Sequence, residues 1–297
     1  MVRALPAKPS GGREKDFLKA IMVERLYGTM PLASLLQASI AASSLGDRRA
    51  NPSMPAFRTS LAMTSWCEIM TPEIRRGRTD DAEFIARTIL LAQRGPRPLG
   101  WFDFALDRTE PEVLAFLERL AVAKQSSWYH VSQFLVAEIN GERAAALCVM
   151  PSRFARETVR PAIDEAARRA GMSEADLAAI YTRGAYARPC WVQGNDEDWL
   201  IEHVASAPAF RGRGAIQALL VGGIAAGRAA GFAHASITFV IGNDKAERCY
   251  AKAGFSFAEE KRDATFEALT HRHAWLPALR PSDLAQSECL IWVNRVG

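Results

Sequence analysis

The chain has no apolar run long enough to span a bilayer, so no membrane-spanning helix and no membrane partner is expected. It also lacks paired cysteines. Its five (Cys67, Cys148, Cys190, Cys249, Cys289) are scattered, odd in number and without a Cys-x-x-Cys pair. This argues against a disulfide framework or a zinc site and points to a reducing, cytoplasmic compartment. The five histidines show no metal-ligand spacing, so no metal is expected. A charge excess is missing from most of the chain. Residues 1–69 hold nine Lys/Arg against five Asp/Glu, whereas from Met70 onward 28 of each balance. A neutral body gives no electrostatic case for nucleic-acid binding.

What is present is concentrated between Asp198 and Phe257. Trp199 to Ala205 is an apolar run that reads as a buried strand. A Pro and an Arg/Gly cluster follow, and then Ala215 to Ala230 repeats apolar residues at helical spacing (Ile216, Leu219, Leu220, Ile224) before Gly231 stops it. The cluster therefore sits between a strand and a helix N-terminus, where unpaired N–H groups and the positive dipole end favour an anion. Gly212 and Gly214 permit close backbone approach, and Arg211 and Arg213 can bond phosphate. This is not a P-loop, because no Lys-Ser/Thr follows, and it lacks the third glycine of a dinucleotide fingerprint. His234 to Gly242 reads as a second strand. After it, Asn243 and Tyr250 lie seven residues apart on one helix face, with Ala246 between them leaving room for a ligand. Gly254 ends that helix and Phe255 opens a further strand.

Arg211-Gly-Arg-Gly-Ala-Ile216 followed by Ala218-Leu-Leu resembles the acetyl-CoA loop of the GNAT superfamily of N-acetyltransferases. Asn243-x-x-Ala246-x-x-x-Tyr250-x-Lys252-x-Gly254-Phe255 resembles the same superfamily's later motif. One departure is Ile216, which stands where the pattern has Gly or Ala. The resemblance spans roughly Glu73 to the C-terminus. It implies a GNAT-like α/β fold, a mixed, mostly antiparallel twisted sheet with helices on both faces, preceded here by an irregular N-terminal extension. It implies acetyl-CoA as co-substrate and acyl transfer to a primary amine, on a small molecule or a peptide, by direct attack. It leaves a homodimer open. A non-catalytic GNAT-fold protein that binds CoA is the alternative.

The resemblance also distributes roles. The loop Arg211, Gly212, Arg213, Gly214, Ala215 and Ile216 would hold the pyrophosphate. Val204, Ala205 and Ser206 would bond the pantetheine arm and offer N–H groups to the oxyanion, and Asn243 would bond the same arm. Tyr250 would protonate the departing sulfur. Read alone, Tyr250 is a core tyrosine over a helix–strand joint, and Asn243 is an N-cap. Glu202 is the candidate base, since a carboxylate in an apolar strand is unusual; a salt-bridged or rim carboxylate is the plainer reading. Alternation in a pleat places Glu202 on one face with Leu200 and Val204, and Ile201, His203 and Ala205 on the other. His203 is a second candidate base. Gly222, Gly223 and Gly227 read as close helix–sheet packing.

The domain plan follows. Residues 1–69 form an extension, disordered or partly helical; an upstream stretch from a wrong start assignment and a targeting peptide are the competing readings. The acyltransferase domain is 70–297. Within it Ile74 begins a strand, and Thr79 or Asp80 caps a helix through Leu91. Arg94 to Asp107 reads as a loop and Glu110 to Lys124 as an amphipathic helix. Gln133–Ile139 and Arg143–Met150 form a hairpin about Asn140-Gly141. Residues 152–190 read as a basic helical insertion, with Ser173 and Asp176 in a capping arrangement. It is either a solvated helical face or a substrate-shaping lid favouring an acidic group. Phe255–Ala258 and Thr265–Leu269 read as strands, His271–Ser287 as a loop, and Glu288–Val296 as a last strand.

Overall fold

A computed structural model describes residues 71–190, 195–270 and 291–296. The N-terminal extension and the 271–287 loop lie outside the described residues. Among the described residues seven strands form one sheet in the order β1-β2-β3-β4-β5-β7-β6. They are β1 (Glu73–Arg76), β2 (Phe134–Ile139), β3 (Glu142–Pro151), β4 (Trp199–Ser206), β5 (Ala235–Val240), β6 (Ser256–Lys261) and β7 (Ile291–Val296). All neighbouring pairs are antiparallel except β4 with β5. The Asn140-Gly141 turn has φ of 55° and 75°, the doubly left-handed turn that matches hairpin twist.

Helices cover both faces. On the first face lie α1 (Ala82–Arg94), α2 (Trp101–Leu106), α3 (Glu110–Ala121), α4 (Ser152–Arg169) and α5 (Glu174–Gly184). Their apolar stripes meet Phe134, Val136, Ala146, Cys148, Met150 and Leu200 of the sheet. On the second face α6 (Ala215–Ala229) packs Leu219, Leu220 and Ile224 over Leu135, Leu147, Val149 and Ile201. The glycines of α6 permit that approach. A Cβ on Gly223 would stand 3.2 Å from Val149, and one on Gly227 would stand 2.6 Å from the Trp199 ring. Two further helices are α7 (Asp244–Lys252), on the second face, and α8 (Ala264–Thr270). Among the described residues no helix is long and apolar enough to cross a membrane.

Two expectations need correction. The 94–107 segment is not all loop, because Trp101–Leu106 is helical. The Asp103 carboxylate takes the Gly100 N–H at 2.7 Å and is held by Arg94 at 2.6 Å, while Phe102, Ala105 and Leu106 are buried. Thr265–Leu269 is helix rather than strand. Asp263 Oδ1 accepts the Phe266 N–H at 2.9 Å, and Phe266 packs on Cys190 and Tyr186.

The insertion is part of the fold. Ala155, Ala162, Ile163, Ala166, Leu177 and Ile180 belong to the first-face core, and its arginines lie outward. Arg183 bonds the carbonyls of Ala105 and Leu106, tying α5 to the end of α2, and Trp101 Nε1 bonds the Gly184 carbonyl at 3.0 Å. Ser173 and Asp176 exchange capping bonds as expected. The insertion's arginines are thus exposed on a core-packed helix pair, with Arg183 also tying it to α2.

Candidate active site

The site forms where β4 and β5 part. Their parallel pairing covers only Trp199↔Ala235, Leu200↔Ser236 and Ile201↔Ile237. Beyond it β4 pairs with β3 alone among the described residues. A bulge lies at that point. Cys148 faces Glu202 and Ala146 faces Ala205, so Leu147 alone opposes His203 and Val204. His203 adopts φ of 53°, the left-handed conformation that a bulge needs and a non-glycine residue rarely takes.

The extra residue overturns the expected alternation. Glu202 and His203 share the first face, and Val204 packs into the second-face core with Ile201. The His203 ring stacks on Tyr129 at 5.2 Å and on Phe134 at 6.3 Å, with the Trp128 ring edge-on at 5.5 Å. Enclosed in this way, its pKa falls to about 3 through burial. A conjugate acid that strong leaves a weak base, so the geometry disfavours His203 for proton abstraction.

Glu202 has the opposite character. Burial raises its pKa to about 7, against the hydrogen bonds it accepts from the Thr238 hydroxyl and the His203 N–H. The Thr238 Oγ1–Glu202 Oε1 distance is 2.6 Å. A carboxylate poised near neutrality takes and returns protons readily. It is not the salt-bridged carboxylate of the plainer reading: its described partners are a hydroxyl and an amide.

Tyr250 reaches the site from the second face. It is buried, with its ring edge-on to Phe239 at 5.6 Å and to Phe255 at 6.3 Å. Burial raises its pKa, and the Glu202 charge raises it further. The phenol thus lies within electrostatic reach of a carboxylate on the opposite face.

Ser206 leads into the Arg/Gly loop. Gly212 and Gly214 have φ of 77° and 79°, and Gly214 is the N-cap of α6. A glycine cap brings no side chain, so the first N–H groups of α6 receive no side-chain cap. Arg211 and Arg213 are exposed, and the Arg213 guanidinium lies 5.4 Å from the Phe210 ring centre. Ile216 packs, partly buried, against the second-face core. Asn243 caps α7, its Oδ1 accepting the Ala246 N–H at 3.3 Å, and this leaves Nδ2 as a donor.

Residues 124–255 match the family model for the acetyltransferase (GNAT) family. Over that stretch the chain is similar to the GNAT acetyltransferases. In fold the chain is similar to the crystal structure of an N-acetyltransferase from Staphylococcus aureus Mu50, with TM-score 0.52, 17% identity, and 75% of this chain and 100% of that one covered. A second acetyltransferase crystal structure has TM-score 0.51 at 17% identity, covering 75% of this chain and 97% of that one. No curated protein matches the sequence. The sequence reading names the loop, Asn243, Glu202 and Tyr250 as candidates. It missed Thr238 and the Trp128–Tyr129 wall around His203. Thr238 gave no signal, because a threonine in a strand reads as packing and its partner depends on strand register.

Proposed function

We propose that the chain is an acyl-CoA-dependent N-acyltransferase that transfers an acetyl (acyl) group from acetyl-CoA to a primary amine by direct attack. The observation that carries this reading is the parting of β4 from β5 after Ile201↔Ile237, which leaves the Thr238-held Glu202 carboxylate at the start of a β4 edge that leads into the Arg/Gly loop. The surroundings fit such a donor. The two left-handed glycines, the α6 amides without a side-chain cap and the two exposed arginines suit a pyrophosphate. The β4 edge beyond Ile201 has no β5 partner, which suits an arm that pairs as a strand does.

When bound, acetyl-CoA supplies an acyl group already activated as a thioester. Arg211 to Ile216 would hold the phosphates through backbone N–H groups and two guanidiniums. Val204 to Ser206 and Asn243 Nδ2 would align the arm, and the strand amides would stabilise negative charge on the acyl oxygen. Glu202 takes a proton from the acceptor ammonium so that the nitrogen lone pair can form the new C–N bond. Tyr250 gives its phenolic proton to the sulfur as the C–S bond breaks. The acceptor is a primary amine of a small molecule or peptide. Incubation with acetyl-CoA and a panel of primary amines, with free thiol and acceptor mass as readouts, should show amine-dependent thiol release. CoA binding by calorimetry without thiol release for any amine would overturn the catalytic reading in favour of a binding protein.

A further inference from the structure

We propose that Thr238 is the positioning residue of the Glu202 carboxylate: its hydroxyl spans the point where β4 and β5 separate, fixes Oε1 and favours the ionised form. Ile201↔Ile237 is the last backbone pair, so Glu202 and Thr238 are the first residues past it. Both lie on the first face, two residues beyond the paired Leu200 and Ser236. At 2.6 Å the hydroxyl–carboxylate bond is a short, charge-assisted one. It succeeds the strand ladder where backbone bonds stop. With Oε1 engaged and the backbone fixed by the bulge, the carboxylate is restrained, and its remaining lone pairs are directed by the protein.

The titratable groups around Glu202 make its own protonation readable. Tyr129, from the loop before β2, Cys148 on β3 and Tyr250 on α7 are all pushed up, with burial as the largest cause and the Glu202 charge adding to it. His203, the next residue on β4, is pushed down. Arg76 on β1 acts on Cys148. The four neighbours therefore keep their neutral forms over about pH 5 to 8, and Glu202 titrates among them as a single group. A hydroxyl that donates to the charged form lowers its pKa, so removing that donor should raise it.

The inference rests on the reading of Glu202 as base, and the experiment separates the two. In the full chain labelled with 13C-glutamate, the Cδ resonance that disappears in Glu202→Gln identifies this carboxyl. Its midpoint should rise by about one pH unit in Thr238→Val, which keeps the shape and removes the hydroxyl, and return in Thr238→Ser. The acidic limb of kcat/KM should move by the same amount, lowering the rate about fivefold to tenfold at neutrality while leaving the high-pH plateau and CoA affinity unchanged. A midpoint that stays in place in Thr238→Val overturns the positioning role. If the midpoint moves as expected but Glu202→Gln keeps full turnover, the pairing with Thr238 stands and the base assignment falls.

Discussion

Glu202→Gln should stabilise the protein at high pH while disabling the proposed chemistry. The carboxyl titrates at about 7 in the folded chain, against 4.5 for an unperturbed glutamate, and burial is the largest cause. A raised folded-state pKa means that the folded chain binds this proton more tightly than the unfolded chain. The associated stability is fully present below pH 4.5 and is lost as pH rises through 7. At about 1.36 kcal/mol per unit, the loss approaches an upper limit of about 3 kcal/mol. Glutamine keeps the volume and never ionises, so it escapes that loss, and the Thr238 hydroxyl can rotate to accept from its amide.

Urea unfolding of both proteins at about pH 5 and about pH 8.5 isolates the effect, because every other titrating group is common to both. The variant's advantage over wild type should widen by about 2–3 kcal/mol between the two pH values, which at this size is several degrees in Tm. Activity should move the other way, as expected where a strained functional group is relieved. An advantage that is constant with pH, or that shrinks as pH rises, would refute the claim that burial holds this proton, and the case for Glu202 as a neutral-pH base would lose its main support.

Tyr250→Phe keeps the ring contacts with Phe239 and Phe255 and removes only the hydroxyl. It should lower kcat by about 10²–10⁴-fold with little change in CoA affinity, measured by single-turnover kinetics and calorimetry. Gly214→Val forces a β-branched residue to φ of 79° at the cap of α6, although open space surrounds the position. It should weaken CoA binding at least about tenfold through local loop strain of about 1–3 kcal/mol, without unfolding the domain. Along α6 two alanine substitutions should have opposite signs in thermal melts. Gly222→Ala meets Ile74 at an ordinary 3.4 Å and should raise Tm through about 1 kcal/mol of helix propensity. Gly227→Ala drives a methyl to 2.6 Å from the Trp199 ring and should lower Tm, since overpacking costs about 1–3 kcal/mol.

Local chemistry was legible in the sequence wherever one segment determines its own structure. The Asn140-Gly141 turn, the Ser173 cap and the loop before α6 are set by residues a few positions apart, and each appears where expected. Long amphipathic helices were legible for the same reason. The short helices α2 and α8 were not, because six or seven residues carry too little periodicity to outweigh prolines or β-branched neighbours. What escaped entirely depends on partners far along the chain. Thr238 lies 36 residues from Glu202, and their bond exists only because β5 runs parallel to β4 in one register. The faces of His203 and Val204 were misassigned because strict alternation holds only in an unbroken pleat.

The bulge that broke the alternation is the feature from which the site follows. Holding a histidine at φ of 53° costs about 1–2 kcal/mol. Stacking against Tyr129 and Phe134, with Trp128 at the edge, supplies the compensating contacts that keep it there. Two consequences follow from one extra residue. Glu202 and His203 are brought to the same face, so the carboxylate is set beside a neutral, aromatic wall rather than a competing charge. A bulge also bends its strand, and here the strand departs from β5 one residue after the last parallel pair. An unbroken β4 would carry the ladder on along Thr238 to Val240 of β5. The same distortion therefore leaves the β4 edge past Ile201 without a β5 partner, the edge that the arm of the proposed acyl donor would use.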